Sequence, residues 1–168
     1  MVAEIARLTL FPAMMAFAAS SDLLTMTISN RVSIFLAAGF FALAGASGMT
    51  ASDMLSHVAA SGTVLLVAFG FFTRGWIGGG DAKLAASTAL WLGFSHLLPY
   101  LVYASLFGGA LTLALIQFRV APLPGRLARH EWLQRLHSRE GGVPYGIALA
   151  AAALTVYPET QWMAPFGG

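Results

Sequence analysis

The chain has no cysteine, which excludes disulfides, thiolate metal sites and a cysteine nucleophile at once. It is also poor in charge: 10% of its residues are Asp, Glu, Lys or Arg, where an ordinary soluble domain carries roughly 25%. Histidine is sparse and scattered. His57, His96, His130 and His137 form no close pair of the HxxxH kind, so the expectation is a chemistry without metal or cofactor. What replaces charge is apolar bulk. Hydrophobic residues make up 58% of the sequence, and a mean hydropathy of +0.75 spread along the chain describes a series of lipid-facing segments rather than one buried core. The expectation is an all-α, polytopic membrane protein forming a single domain over residues 1–168.

Six apolar stretches approach the ~17–25 residues needed to cross a bilayer. They are Ile5–Ser21, Val32–Gly48, Leu55–Thr73, Leu84–Leu98, Tyr100–Phe118 and Val143–Tyr157. Pro99 is expected to break the chain between the fourth and fifth, making them a tight hairpin, because proline lacks a donor amide and biases its predecessor away from helix. Of the nine basic residues, Arg31 falls in the first loop, Arg74 and Lys83 in the third, and Arg119, Arg126, Arg129, Arg135 and Arg139 in the fifth. Arg7 alone lies on the other side. The positive-inside rule then places loops one, three and five in the cytoplasm and both termini outside. The pI near 9.4 reflects this topology signal and not a nucleic-acid footprint, since the net charge is only +2.

Ala16-Phe17-Ala18 fits a small-x-small cleavage site, but Glu4 and Arg7 precede the apolar run in place of a positive n-region, so the first span is expected to be retained. The segment 119–142 is the one long polar stretch, the expected cytoplasmic loop. Within it, residues 130–136 read either as a short amphipathic helix on the anionic lipid surface or as a solvated connector.

Seven acidic residues remain to be placed. Glu4, Asp53 and Glu159 fall on the outer side, and Glu131 and Glu140 lie among the arginines of the fifth loop, where a solvated or paired charge explains each. Asp22 and Asp81 differ. Asp22 closes the first span in Ser20-Ser21-Asp22, and Asp81 opens the fourth in Gly78-Gly79-Gly80-Asp81-Ala82-Lys83. Singly, Asp22 reads as the polar end of a span and Asp81 as a helix N-cap. Capping, however, does not require three glycines. Glycine repays its backbone entropy where φ is positive or another backbone comes close, and beside a carboxylate such a loop would let an extended substrate strand bond to Gly78 and Gly80. Gly142 and Gly146 form a small-xxx-small pattern that reads as helix packing. Two carboxylates brought close together tend to share one proton; the ionised member can then activate water while the protonated one bonds the scissile carbonyl.

Gly78-Gly79-Gly80-Asp81-Ala82-Lys83 resembles the GxGDxK pattern of type IV prepilin peptidases, Asp22 with Ile28-Ser29-Asn30 resembles their first-aspartate segment, and Val143-Pro144-Tyr145-Gly146 looks like their PYG element. The resemblance is nearest to the short peptidases of tight-adherence (Flp) pilus systems. It implies that Asp22 and Asp81 are a catalytic pair, with Lys83 beside the second acid and Asn30, Pro144, Tyr145 and Gly146 as motif support. It implies a prepilin or pseudopilin partner cut at the cytoplasmic face. Two departures stand out: Ser29 replaces a frequent proline, and the cysteine-bearing domain linked to N-methylation is missing, so methyltransferase activity is not implied. A proton- or ion-coupled transporter is the rival class, but it would carry acids near mid-span, where this sequence has none. A non-catalytic scaffold using the basic loop is the third reading.

Overall fold

The computed structural model describes residues 2–139 and 141–163; Glu140 lies outside them. Its longer elements are helices α1 (Val2–Thr25), α2 (Asn30–Ala46), α3 (Ala51–Thr73), α4 (Gly79–Val120), α5 (Glu131–His137) and α6 (Tyr145–Val156). Short 3₁₀ turns occupy Leu127–Arg129, Tyr157–Glu159 and Gln161–Met163. Glu4–Thr25, Ala51–Thr73 and Gly79–Val120 are long and apolar enough to cross a membrane, and Asn30–Ala46 is a shorter apolar helix. Lipid suits both their exposed apolar side chains and their internally bonded backbones, as in a membrane protein.

Local chemistry sets the helix ends. Ser29 accepts the Arg31 amide at 3.3 Å to start α2. Thr50 accepts the Asp53 amide at 3.1 Å while its hydroxyl donates to the Asp53 carboxylate at 2.7 Å, fixing the start of α3. Helix α3 stops in a Schellman turn: Gly75 takes φ 71°, and the Trp76 amide reaches back to the Phe71 carbonyl at 3.0 Å.

Helix α4 is two arms. Gly93 has φ 64° and ψ −177°, a conformation outside the helical region that glycine adopts readily. Beyond it the chain doubles back. A β-carbon on Gly108 would stand 2.6 Å from the Tyr145 ring, while one on Gly80 would touch Ile28, which also meets Gly146. In a straight helix Gly80 and Gly108 would be about 40 Å apart, so both can reach the same end of α6 only if the arms fold on each other. The hairpin expected from the sequence is therefore present, but its hinge is Gly93 and not Pro99. Pro99 sits inside the second arm. Glycine at φ > 0 reverses the chain without steric cost, whereas proline only removes one donor from a helix that neighbouring contacts can still hold.

The break frees backbone carbonyls, and side chains take them up. His57 Nδ1 lies 2.8 Å from the Leu90 carbonyl, and the Trp162 indole donates to the Trp91 carbonyl at 2.7 Å. Around this hinge the core is aromatic. Trp91 is wholly buried, its indole donates to the Leu36 carbonyl at 2.9 Å, and its ring packs on Phe11, Phe40, Tyr157 and Trp162.

The segment 119–142 is tied down. Residues 131–137 form α5, as one of the two sequence readings held. Arg119 donates to the carbonyls of Leu136 (2.9 Å) and Gly142 (2.7 Å), Arg135 donates to that of Leu24 (2.6 Å), and His137 Nε2 lies 2.8 Å from that of Ala121. Basic side chains thus meet the carbonyl-rich ends of α1, α5 and the second arm of α4. The packing pattern expected of Gly142 and Gly146 is not realised, because α6 begins at Tyr145 and leaves Gly142 outside the helix with open space around it.

Candidate active site

Asp22 lies one turn before the end of α1, and the helix continues past it to Thr25. Its carboxylate is buried, and Oδ2 accepts the Gly146 backbone amide at 2.7 Å. That amide belongs to the first turn of α6 and has no partner within the helix, so the carboxylate satisfies an orphan donor. Only glycine fits there: a β-carbon on Gly146 would stand 2.8 Å from Asp22 Oδ2 and 2.7 Å from Ile28 Cδ1. Pro144 occupies the N-cap position of α6 and Tyr145 its first helical one. Tyr145 then reaches the second arm of α4, its hydroxyl 3.4 Å from Thr112 Oγ1. Pro144, Tyr145 and Gly146 thus fasten α6 to α1 and α4 together.

Asp81 is not the N-cap of α4. Gly78 holds that position, with extended φ −73° and ψ 147°, and the Asp81 carboxylate, three residues on, reaches back to accept the Gly78 amide, as the acidic member of a capping box does. The three glycines have separate reasons. None has positive φ among the described residues; what they permit is close approach. A β-carbon on Gly78 would come within 2.9 Å of Asp81 Oδ2, one on Gly79 within 3.3 Å of the Phe72 ring, and one on Gly80 within 3.2 Å of Ile28 Cβ.

The two acids meet at one end of the bundle. Asp81 lies in the field of the Asp22 carboxylate, and the chain Gly80, Ile28, Gly146 and Asp22 is continuous in space. Lys83 is exposed and does not pair with Asp81 in the hydrogen-bond network. Its ammonium donates to Asn30 Oδ1 at 2.8 Å, joining the start of α4 to the start of α2. The sequence reading grouped Asn30 and Lys83 by motif; the fold makes them partners. Ile28 was legible only as part of the Ile28-Ser29-Asn30 string, yet it stands at the centre of the site. No sequence signal marks it, because its importance depends on two glycines brought to it from distant segments.

A buried carboxylate holding a helix-end amide thus stands in the field of a second carboxylate on a glycine-lined helix start. The family model described as the type IV leader peptidase family matches residues 9–113. No curated protein and no solved structure matched the chain. The matched stretch is more than half of the chain and contains both aspartates, the glycine triplet and Ile28; with the geometry at the start of α4, it establishes that the chain belongs to the type IV leader peptidase family.

Proposed function

We propose that the protein is a membrane-embedded aspartic endopeptidase that removes the leader peptide of prepilins or pseudopilins at the cytoplasmic face of the bacterial inner membrane. Asp22 and Asp81 are the catalytic pair in this reading. The observation that carries it is their convergence: two acids from distant segments meet at one end of the bundle, each bonded to a backbone amide at a helix start. Capping alone does not call for two acids side by side, since each would cap its helix as well without the other's charge nearby. The ionised carboxylate takes a proton from water, the protonated one donates to the scissile carbonyl, and the roles reverse as the amine leaves.

The basic residues of loops one, three and five support six spans with both termini periplasmic, which puts the acids on the cytoplasmic side. The two arms of α4, folded at Gly93, supply two of those spans. The motif resemblance supports a tight-adherence type of peptidase. Lys83 and Asn30 brace the start of α4, and Gly78 and Gly80 let the Asp81 carboxylate and Ile28 come close to its backbone.

The test is cleavage of a co-expressed prepilin. Asp22→Asn and Asp81→Asn should each abolish processing while the protein still accumulates in the membrane, because asparagine is nearly isosteric but cannot carry the proton. The double variant should be scarcely worse than either single one, as expected for groups that act as a unit. Lys83→Met should slow processing without stopping it. Full processing by either asparagine variant would refute the pair.

A further inference from the structure

The connector between α1 and α2 is four residues long, and its conformation is forced. Met26 has φ 55°, left-handed for a residue with a β-carbon, a state that costs on the order of 1 kcal/mol and persists where neighbours over-determine it. The neighbours are identifiable. The Met26 amide donates to the Asp22 carbonyl at 2.8 Å, the Ser21 hydroxyl donates to the Thr27 carbonyl at 3.0 Å, and the hydroxyls of Thr25 and Thr27 lie 2.8 Å apart. Ser29 holds the far side by capping α2.

Between these clamps sits Ile28. Its Cβ lies 3.2 Å from where a β-carbon of Gly80 would be, and its Cδ1 lies 2.7 Å from where one of Gly146 would be. Gly80 precedes Asp81, and Gly146 supplies the amide that holds Asp22. One side chain thus touches the backbone that carries one acid and the backbone that orients the other. A β-branched residue suits such a place because χ1 has few options and the branch cannot swing away.

We infer that Ile28 is a positioning residue, a rigid spacer that sets the separation of the Asp22 and Asp81 carboxylates, with the left-handed turn at Met26 as the clamp that seats it. The inference rests on the aspartic reading for its effect on cleavage, but the spacing itself is measurable without activity. Spacing matters because misplacing reacting groups by about 1 Å costs on the order of 10²-fold in rate. Ile28→Ala leaves a gap between the two glycine backbones. Ile28→Leu keeps the volume and moves the branch. Ile28→Val keeps the branch and loses only Cδ1.

The chain has no native cysteine, so spin labels at Leu24→Cys and Trp76→Cys report only the pair intended. Both positions are exposed and flank the two acids along their segments. In the full chain reconstituted in bilayers, Ile28→Ala and Ile28→Leu should broaden or shift the distance distribution between the labels, while Ile28→Val, which keeps the Cβ against Gly80 but loses the Cδ1 against Gly146, should alter it less than either. In the label-free protein, kcat for a prepilin should fall roughly 10- to 100-fold in Ile28→Ala with KM little changed, and Ile28→Val should recover part of it. A distribution unaltered in both Ala and Leu variants overturns the spacer, even if kcat falls with thermal stability, since Ile28 would then be core packing alone. Should Ile28→Ala fail to accumulate, the Leu and Val variants decide the matter. A shifted distribution in a protein whose Asp22→Asn variant still cleaves would keep the spacer and remove the catalytic reading.

Discussion

At the end of the bundle away from the acids, Phe11, Phe40, Trp91, Tyr157 and Trp162 interlock, with ring centroids 4.5 Å apart for Phe11 and Tyr157 and 5.0 Å for Trp91 and Trp162. At the acid end the same helices meet through glycine: Gly80 against Ile28, Gly146 against Asp22 and Gly108 against Tyr145. The aromatic end gains stability from buried area and ring contacts. The glycine end has little side-chain surface to bury and is held by directional bonds, Gly146 to Asp22 and Lys83 to Asn30. The comparison teaches a division of labour. Bulk fixes how the helices cross, and small residues leave backbones close enough for carboxylates to approach from different helices. Stability and geometry at the site are therefore expected to be separable by mutation.

Trp91→Ala should show the largest effect and fall on stability. It removes the centre of the aromatic cluster together with the bond to Leu36, and should cost about 3–5 kcal/mol, read as a lowered denaturation midpoint in detergent. A midpoint unchanged by this substitution would break the comparison, because bulk would not be what holds that end.

Gly146→Ala should act at the other end. The added β-carbon would press on Asp22 and on Ile28, and either the carboxylate or α6 must move. Cleavage of a prepilin should fall on the order of 10²-fold, while the denaturation midpoint drops by no more than the ~1–3 kcal/mol typical of overpacking. Equal losses of stability and activity would mean that the two ends are not separable.

Gly62→Ala is the smallest change and the control. Gly62 lies within α3, with nothing within 4 Å of where its β-carbon would stand. Alanine is the better helix former by up to ~1 kcal/mol, so stability should rise slightly or hold, and processing should match the parent protein. A loss of processing would place α3 closer to the chemistry than its glycine suggests.

Much of this architecture is legible in the residue order. The apolar runs announce the helices, and the expected limits 5–21, 32–48, 55–73 and 143–157 fall within a few residues of α1, α2, α3 and α6. Lipid exposure makes this possible, since a helix in hydrocarbon must be apolar along its whole length and so writes its extent into composition. The hinge between the arms of α4 was misplaced because proline is the louder local signal. Gly93 is inconspicuous in sequence; its role appears only once the arms are seen to fold back, with the His57 ring against it and the freed carbonyls taken by His57 and Trp162. Gly142 was grouped with Gly146 by spacing alone, and spacing carries no information on where a helix starts.

Residue order alone determined that the chain lives in lipid, that Asp22 and Asp81 stand at the ends of apolar runs, and that the stretch around Asp81 is built of small residues. These are properties of composition and of local motif. Tertiary structure alone decided which small residue serves which acid: Gly146, far along the chain, holds Asp22; Gly78 holds Asp81; and Ile28 fills the space between Gly80 and Gly146. The physical reason is that a hydrogen bond or a close contact is set by distance in space, and helices of different lengths, folded at Gly93 and braced by aromatic rings at the far end, bring together positions whose separation along the chain says nothing about their meeting.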